Sequence, residues 1–477
     1  MSVAFCRRGA QNSPFAANPE IPLALSGMNS AGTTLPQPAA ATAFRWPASL
    51  WTALCLGFGA VVAAVVALAP FPPLQDFPEW AYQGHLLARL LRGLPIGEIH
   101  LATTPVPNSS VQLLLGLLSL AMPAAWAARL FLLGLVGASV AVSLALGRRY
   151  QPGAPGAFAA LLLVAVFLNA AFWNGYASFQ VGMLLLGAWF LLPEARRAAA
   201  GPILGFSLLI FFTHAMVFFA FCALLGATAL LDRRRILATT AGLLPAAILT
   251  GWYIATDAGG GSTETAGAGG LAGFLAYKLY TVAKLGPYHN FVFAEGGDIV
   301  THPALYWAGS VINLAFAAGL AALLGFGLRG AIRARRPAWA PLLAAAGLLV
   351  LFAVLPDLVQ NVVNPGERLL LPALLLLLLF LPLPPGLVRA LGLGVVVQAA
   401  CLAMLLATGH AWREPVHYTE LRAETAGMFR HRPTAFACKW QEMVRSTVAG
   451  DTPRQPLAFR TSLLIGTTSA GCTGKPG

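Results

Sequence analysis

Apolar residues run along this chain in long stretches that short polar clusters separate. A helix needs about 20 residues to cross the hydrocarbon core of a bilayer, so each stretch can be measured against that length. The pattern predicts an all-α, polytopic transmembrane helical bundle of about eleven spans. We place the spans at residues 49–69, 124–146, 156–175, 177–192, 201–214, 215–231, 236–255, 304–328, 338–356, 368–384 and 387–408.

The apolar stretch at residues 201–231 is too long for one upright span. As one continuous helix it would measure about 46 Å, well beyond the roughly 30 Å of the hydrocarbon core. The segment FFTHAM places His214 near its middle, and we predict a turn or break there.

Charge supports a membrane protein and gives it an orientation. Of the 477 residues, 58% are hydrophobic and 10% charged, too few charges for a soluble protein of this size. The net charge of +13 is divided among short clusters between the spans, which excludes one continuous nucleic-acid patch. Lys and Arg near span ends collect on the cytoplasmic side. That side then holds Arg45, Arg148, Arg149, Arg196, Arg197, Arg233, Arg234, Arg235, Arg329, Arg333, Arg335 and Arg336.

This orientation predicts a cytoplasmic amino end and a periplasmic carboxyl end in a bacterial inner (plasma) membrane. Segment 110–122, SVQLLLGLLSLAM, would reverse the sides of Arg148 and Arg149 if it crossed, so we predict a re-entrant or interfacial helix. The predicted regions are a disordered cytoplasmic segment 1–47, a bundle 48–408 with external loops 70–123 and 256–303, and an external tail 409–477.

The six cysteines show no CxxC pair and no metal-ligand spacing, which excludes a zinc or iron–sulfur signature. Cys438 and Cys472 lie in the external tail and are either disulfide-bonded or two free thiols.

The first external loop holds two acids, Asp76 and Glu79, where the chain leaves the first span. A D-x-x-E pattern before a helix is typical of a capping box, and Pro78 in the first turn fits that interpretation. The helix has a polar stripe opposite leucines, which predicts an amphipathic helix lying on the outer membrane surface. Carboxylates near the bilayer cost free energy unless something uses them, so the alternative is chemistry. The stripe comprises Tyr82, His85, Arg89 and Arg92, and the leucines are Leu87, Leu90 and Leu91.

Four fragments resemble the glycosyltransferase family C (GT-C) superfamily, integral membrane enzymes that take sugar from polyprenyl-phosphate carriers. The fragments are LQDFPEW, FLNAAFWNGYASFQVG, FFTHA and NPGERLLLPALLLLL, within residues 49–410. The resemblance implies a GT-C-like bundle with external amphipathic helices and inverting sugar transfer on the external face. It departs from many members after the D-x-P box, where Glu79 and Trp80 stand in place of an adjacent acid or an Asn-His pair.

The resemblance also implies roles for particular residues. Asp76 is the expected general base, and Glu79 the supporting acid that orients the acceptor or holds a divalent cation, Mg or Mn. Arg368 is expected to bind the leaving phosphate; the alternative is an interfacial arginine paired with Glu367. His85 and Arg89 are further substrate-binding candidates, and Arg89 also suits a lipid headgroup anchor.

Three more polar residues are candidates for substrate binding. His214 is an ionisable group in an apolar stretch, where the alternative is a neutral, hydrogen-bonded turn residue. Asn174 lies near an external turn among aromatic residues that suit either sugar stacking or an interfacial belt. His289 belongs to a polar cluster with Glu295, Asp298 and His302 that is either a lid over the first loop, a metal contributor or a solvated loop.

The expected partners are a polyprenyl-phosphate-linked sugar donor, a glycan, lipid or protein acceptor and membrane lipids, with no nucleic acid. Two other functions fit a polytopic bundle: a transporter or lipid flippase, and a non-catalytic scaffold of an envelope assembly. A transporter favours charged groups along a midplane path, whereas the polar residues here gather at one membrane face.

Overall fold

The computed structural model describes residues 47–69, 72–74, 76–94, 100–101, 105–257, 270–288, 303–334, 338–356, 358–359, 362–363, 365–407 and 465–466. All of them belong to one unit, Trp46–Gly477. Predictions for the first 46 residues, for His289 and its cluster, and for Cys438 and Cys472 fall outside these ranges.

Helices make up nearly all of the described chain. They are α1 (Ala48–Leu68), α2 (Phe77–Leu91), α3 (Ser110–Ala121), α4 (Ala124–Tyr150), α5 (Pro155–Leu162), α6 (Ala170–Trp173), α7 (Ala177–Trp189), α8 (Glu194–Arg197), α9 (Ala200–Thr213), α10 (Ala215–Leu231), α11 (Ile236–Asp257), α12 (Gly270–Ala283), α13 (Pro303–Arg333), α14 (Trp339–Val354), α15 (Pro365–Phe380), α16 (Pro385–Gly392) and α17 (Gly394–Ala407).

Irregular helical turns and short strands complete the fold. A π-helical turn, Leu163–Phe167, continues α5, and a 3-10 turn, Arg233–Arg235, joins α10 to α11. The strands are two residues long and pair antiparallel: β1 (His100–Leu101) with β4 (Ile465–Gly466), and β2 (Leu358–Val359) with β3 (Val362–Val363). The centre of the core is α5 with its π-helical turn, where every residue from Ala157 to Leu168 is 0% exposed.

Five described helical stretches are long and apolar enough to cross a membrane, which is typical of a helical membrane protein. They are Ser49–Leu68, Ala124–Tyr150, Arg233–Thr256, Trp307–Arg333 and Pro385–Ala407, and six apolar helices of 10 to 17 residues accompany them. The count of eleven spans, the sidedness and the GT-C fold stay predictions.

The predicted break in the 201–231 stretch is confirmed. His214 separates α9 from α10 with an extended backbone conformation, φ −162° and ψ 118°. The Arg235 guanidinium, after α10, lies 2.9 Å from the Glu194 carboxylate, before α9. The two helices therefore form a hairpin with His214 at its tip.

A second short hairpin runs from α5 to α7. Its arms, Pro155–Phe167 and Ala177–Trp189, are both apolar and measure about 20 Å each at 1.5 Å per residue. Helix α4 has 27 residues and measures about 40 Å. Arg149, at the end of α4, donates to the Leu191 carbonyl at 2.6 Å, so α4 and α7 finish side by side. The tip of this hairpin therefore stops well short of the opposite end of α4.

The two ends of the helical unit differ in charge. Seven arginines lie at one end, which is called the arginine end below, and contacts of Arg149 with Leu191 and of Arg235 with Glu194 connect their segments. They are Arg148, Arg149, Arg196, Arg197, Arg233, Arg234 and Arg235. The opposite end, reached by both hairpin tips, holds Asp76, Glu79 and Glu367 and is called the acidic end below. This separation agrees with the sequence pattern that placed these arginines on one side.

Helices α2 and α3 pack closely side by side at the acidic end. A Cβ added at Gly84 would lie 2.5 Å from the Leu115 Cβ, and one at Gly116 would lie 2.8 Å from the Leu87 Cδ2. Helix α3 has 12 residues, about 18 Å, and is too short to cross a membrane, as the prediction for segment 110–122 requires. Of the predicted apolar stripe, Leu87 is 2% exposed and packs against α3, whereas Leu91 is 45% exposed.

Candidate functional site

Asp76 precedes α2 and lies against the tip of the α5–α7 hairpin. Its backbone N–H donates to the Asn174 carbonyl at 3.0 Å. Gly175 makes this approach feasible: its φ is +79°, and an added Cβ would lie 2.7 Å from the Asp76 nitrogen. The first external loop and the hairpin tip therefore meet through their backbones.

The predicted capping box does not form. The Asp76 side chain makes no capping hydrogen bond to α2. Glu79 does not reach back to the Asp76 N–H, which already binds Asn174, and instead accepts from the Gln83 amide at 2.9 Å. The Asp76 carboxylate is thus left available for another partner.

Burial raises the pKa of Asp76 to about 6, against the lowering effect of the Arg368 and Lys284 charges. Burial, together with the negative charge of Asp76, raises the pKa of Glu79 to about 7, and the Gln83 hydrogen bond lowers it. Both carboxyl groups therefore titrate closer to neutral pH than free carboxyl groups do. A carboxyl group with a pKa near the working pH is suited to proton transfer.

Two cations, Arg368 and Lys284, act on the Asp76 carboxylate. Arg368, in the first turn of α15, holds its guanidinium 4.9 Å from the centre of the Tyr176 ring. Its buried Nε has no hydrogen-bond partner in the described part of the chain. Lys284 follows α12 and lies 3.6 Å from the Glu367 carboxylate. Glu367 therefore pairs with Lys284, and the predicted alternative of an Arg368–Glu367 pair is not formed.

Lys284 stays charged although it is largely buried. Burial lowers its pKa, but the negative charge of Glu367 and the nearby Tyr280, Tyr176 and Tyr277 outweigh this effect, so its pKa is raised overall. The acidic end thus holds two permanent positive charges, Arg368 and Lys284, beside the two carboxyl groups at the start of α2.

His214 lies at the tip of the α9–α10 hairpin and is 4% exposed. Its ring meets Phe179 edge-on at 5.1 Å, and its Nδ1 has no hydrogen-bond partner among the described residues. The segment before α3 contacts this tip: the Asn108 side-chain oxygen accepts from the Ala215 N–H at 2.9 Å. The Arg368 charge acts on His214 as well as on Asp76, which makes Arg368 the link between the two tips.

The remaining candidates lie around this centre. Asn174 contributes its backbone carbonyl to Asp76. His85 is exposed and Arg89 half-buried further along α2, about 13 Å or more from Asp76 at 1.5 Å per residue. They can reach a long substrate but are not part of the Asp76 group. The structure thus joins Asp76, Glu79 and Arg368, and leaves His85 and Arg89 outside.

A divalent cation would find an incomplete site here. Asp76 and Glu79 supply hard oxygen ligands of the type that Mg²⁺ prefers. The described residues contain no group of three or more His, Cys, Asp or Glu side chains placed to hold a metal ion. No reaction step below therefore depends on a metal.

The sequence analysis does not identify four residues of the site: Lys284, Tyr176, Gln83 and Gln112. For Lys284 a signal exists, because the chain has only four lysines, and two of them, Lys278 and Lys284, lie six residues apart in one external loop. Gln83 and Gln112 carry no motif, and only their burial in the folded chain, at 5% and 2% exposure, distinguishes them.

Comparison with protein-family models, curated proteins and solved structures finds no match to the chain. The function is therefore argued from the geometry of the site.

Proposed function

We propose that the chain is an integral membrane glycosyltransferase that moves a sugar from a polyprenyl-phosphate-linked donor to an acceptor on the external face. The proposal includes the eleven spans, a bacterial inner membrane location and the external position of the acidic end. The observation that carries it is the Asp76 carboxylate: half-buried, free of any capping bond, with a pKa of about 6, and under the field of two cations.

On this proposal each group has one task. Asp76 accepts the proton of an acceptor hydroxyl while the hydroxyl oxygen attacks the anomeric carbon of the donor sugar. The bond from that carbon to the lipid phosphate oxygen breaks, its electron pair leaves with the phosphate, and the anomeric configuration inverts. Arg368 and Lys284 stabilise the phosphate charge as it develops. Glu79 orients the acceptor.

The spatial arrangement supports this division of tasks. The general base must stand on the acceptor side of the sugar and the cations on the side of the leaving group. Asp76 comes from the first external loop, whereas Arg368 comes from a late helix and Lys284 from the second external loop. An acceptor and a lipid-borne donor can therefore approach from different elements of one site.

The decisive experiment replaces Asp76 by Asn, which keeps the size and removes the base. The matched control is Asp232→Asn, because Asp232 lies at the arginine end. We expect transfer from an isolated polyprenyl-phosphate sugar to fall about 10²–10⁴-fold in Asp76→Asn, since general base catalysis contributes that much. Asp232→Asn keeps the wild-type rate.

Unchanged transfer by a folded Asp76→Asn variant would remove the base from the proposal. Substrate flux into liposomes without a sugar donor would instead identify a transporter. A chain that shows neither activity, in both variants and wild type, would favour the scaffold.

A further inference from the structure

A chain of buried amides runs into Glu79 from a neighbouring helix. Gln112, on α3, donates to the Gln83 carbonyl oxygen at 2.5 Å, and Gln83, on α2, donates to the Glu79 carboxylate at 2.9 Å. Both glutamines are almost completely buried, at 2% and 5% exposure. Buried polar groups cost free energy unless they are hydrogen-bonded, and these two bond to each other and to an acid of the site.

The hydrogen bonds from Gln112 through Gln83 to Glu79 run in one direction. An ionised carboxylate only accepts hydrogen bonds, so the Gln83 amide must turn its NH₂ group toward Glu79 and its oxygen toward Gln112. Gln112 must then present its own NH₂ group. Gln112 therefore fixes the orientation of the Gln83 amide, which in turn donates to Glu79.

The helices hold this chain in register. Gly84 lets the α2 backbone approach Leu115, and Gly116 admits the Leu87 side chain, so α2 and α3 touch closely in the turn that follows the Gln83–Gln112 bond. Arg92 ties the far ends together by donating to the Leu120 carbonyl at 2.9 Å. A close-packed pair leaves the amides little room to turn over.

We infer that Gln112 and Gln83 are positioning residues that hold Glu79 as a hydrogen-bond acceptor toward a hydroxyl-bearing acceptor substrate. This inference rests on the proposed function for the identity of the substrate. One Glu79 oxygen is bound by Gln83, and the other is presented to a donor group. A hydroxyl or amine fits such a site, whereas an anionic acceptor group is disfavoured next to Asp76.

Among the described residues, Asp76 is the charged group that raises the pKa of Glu79, and Gln83 is the hydrogen-bond donor that lowers it. Helix α3 has no titratable side chain. Helix α4 offers Arg129, which contacts the Ala69 carbonyl at 3.5 Å and the Trp126 ring. The other titratable side chains on α2 itself are Tyr82, His85 and Arg89; Arg92 follows the helix, and β1, which packs against α2, carries His100.

Infrared difference spectroscopy across pH tests the inference on the full-length protein in phosphatidylcholine nanodiscs. The protonated carboxyl band that disappears in Glu79→Gln reports Glu79, and its midpoint in wild type is expected near 7. Gln112→Met keeps the volume but cannot donate, so Gln83 loses its fixed orientation. We expect the Glu79 midpoint to rise by about one pH unit, the size expected for weakening one hydrogen bond to a charged group.

Two further variants make the result specific. Gln112→Glu keeps a polar side chain of similar size and is expected to raise the midpoint more than Gln112→Met does, because the introduced carboxylate, once ionised, both draws the Gln83 NH₂ away from Glu79 and repels the Glu79 charge. Gln398→Met is the matched control: Gln398 is also 2% exposed and donates to the Leu168 carbonyl, far from Glu79 in sequence. Its Glu79 midpoint stays at the wild-type value.

An unchanged Glu79 midpoint in folded Gln112→Met or Gln112→Glu overturns the inference, as does an equal rise in Gln398→Met. The measurement needs no sugar transfer, so it succeeds or fails independently of the Asp76→Asn assay. If the inference and the proposed function are both correct, Gln112→Met also raises the KM for the acceptor and leaves the KM for the lipid-linked donor unchanged.

Discussion

Each end of the helical unit holds an ion pair, and the two pairs differ in how far water reaches them. At the arginine end, the Arg235 and Glu194 side chains are 25% and 73% exposed. At the acidic end, the Lys284 and Glu367 side chains are 19% and 6% exposed. An exposed pair contributes little to stability, whereas a buried pair leaves an uncompensated charge when one partner is removed. The loss of one ion-pair partner is therefore expected to cost more at the acidic end than at the arginine end.

The largest expected effect breaks the buried pair. Lys284→Met leaves the Glu367 carboxylate buried without its cation, and we expect unfolding at pH 7 to become easier by about 3–5 kcal/mol. Arg235→Met, the matched change at the arginine end, is expected to cost at most about 1 kcal/mol. Denaturant unfolding of the reconstituted protein measures both. Equal costs would show that the two ends do not differ in this way.

A glycine at each end gives the next contrast. Gly175→Ala forces a Cβ into the Asp76 backbone at a φ of +79°, and we expect a loss of about 3 kcal/mol from backbone strain and overpacking together. Gly201, in the first turn of α9, has nothing within 4 Å of an added Cβ. Gly201→Ala is expected to be neutral or to stabilise the helix by up to about 1 kcal/mol. Thermal unfolding of both variants measures this difference in stability. A Gly175→Ala variant as stable as the wild type would contradict the close backbone contact.

Replacing an acid by Asn at each end is expected to change the stability of the protein in opposite directions: Asp76→Asn stabilises it above about pH 6, and Asp232→Asn slightly destabilises it. Asp76 has a pKa raised from 3.8 to about 6 in the folded protein, so folded chains bind more protons than unfolded ones between these values. Wild-type stability therefore falls as pH rises through about 4 to 6, by roughly 2–3 kcal/mol. Asp76→Asn avoids this loss and is expected to be the more stable protein at pH 8, with the advantage disappearing near pH 4.

Asp232→Asn is the contrasting variant, since it loses the 3.0 Å contact with Arg235 and gains nothing from relieved burial. It should be slightly destabilised, by less than about 1 kcal/mol. Unfolding curves recorded at pH 4 and pH 8 compare the variants, and a pH-independent difference between Asp76→Asn and wild type would show that the Asp76 carboxyl is not held in its raised state.

The smallest effect concerns the pH dependence of transfer. Asp76 must be ionised to accept a proton, so transfer is expected to fall as the pH drops through about 6. Arg368→Gln removes a charge that lowers the pKa of Asp76, and the midpoint of the pH–rate profile is expected to move upward. Arg235→Gln leaves the midpoint in place. A downward shift in Arg368→Gln would show that Arg368 does not act on Asp76.

Much of the helical framework follows from apolar length alone. The break at His214 is predictable because a helix of about 46 Å does not fit a bilayer. The short helix α3 lies where the apolar segment 110–122 predicts a helix, and its re-entrant or interfacial placement stays a prediction. Helix α12 is not among the predicted helices, since it follows a glycine-rich segment and has no charge pattern to set it apart. Helix boundaries near Asn169 depend on the π-helical turn, which no periodicity reveals.

The site is only partly predictable for a different reason. Asp76, Glu79 and Arg368 are unusual charges beside apolar runs, so the sequence distinguishes them. For Asp76 and Glu79 the competing interpretation is a capping box. It does not form, because the Asp76 N–H donates to the carbonyl of Asn174, almost a hundred residues away. Lys284 and the Gln83–Gln112 bond join the site through contacts between distant segments. Tertiary packing, which local patterns do not record, selects these partners.

The short hairpins have a consequence for the lipid around them. Arms of about 20–26 Å fall short of the roughly 30 Å hydrocarbon layer that α4 exceeds. On the proposed topology, a bilayer beside the partly exposed α9–α10 arms can match their length by thinning on the side of their tip, which draws its phosphate plane inward toward the acidic end. On the proposed reaction, a carrier could then deliver its head group to the protein while its isoprenoid tail stays dissolved in the surrounding membrane.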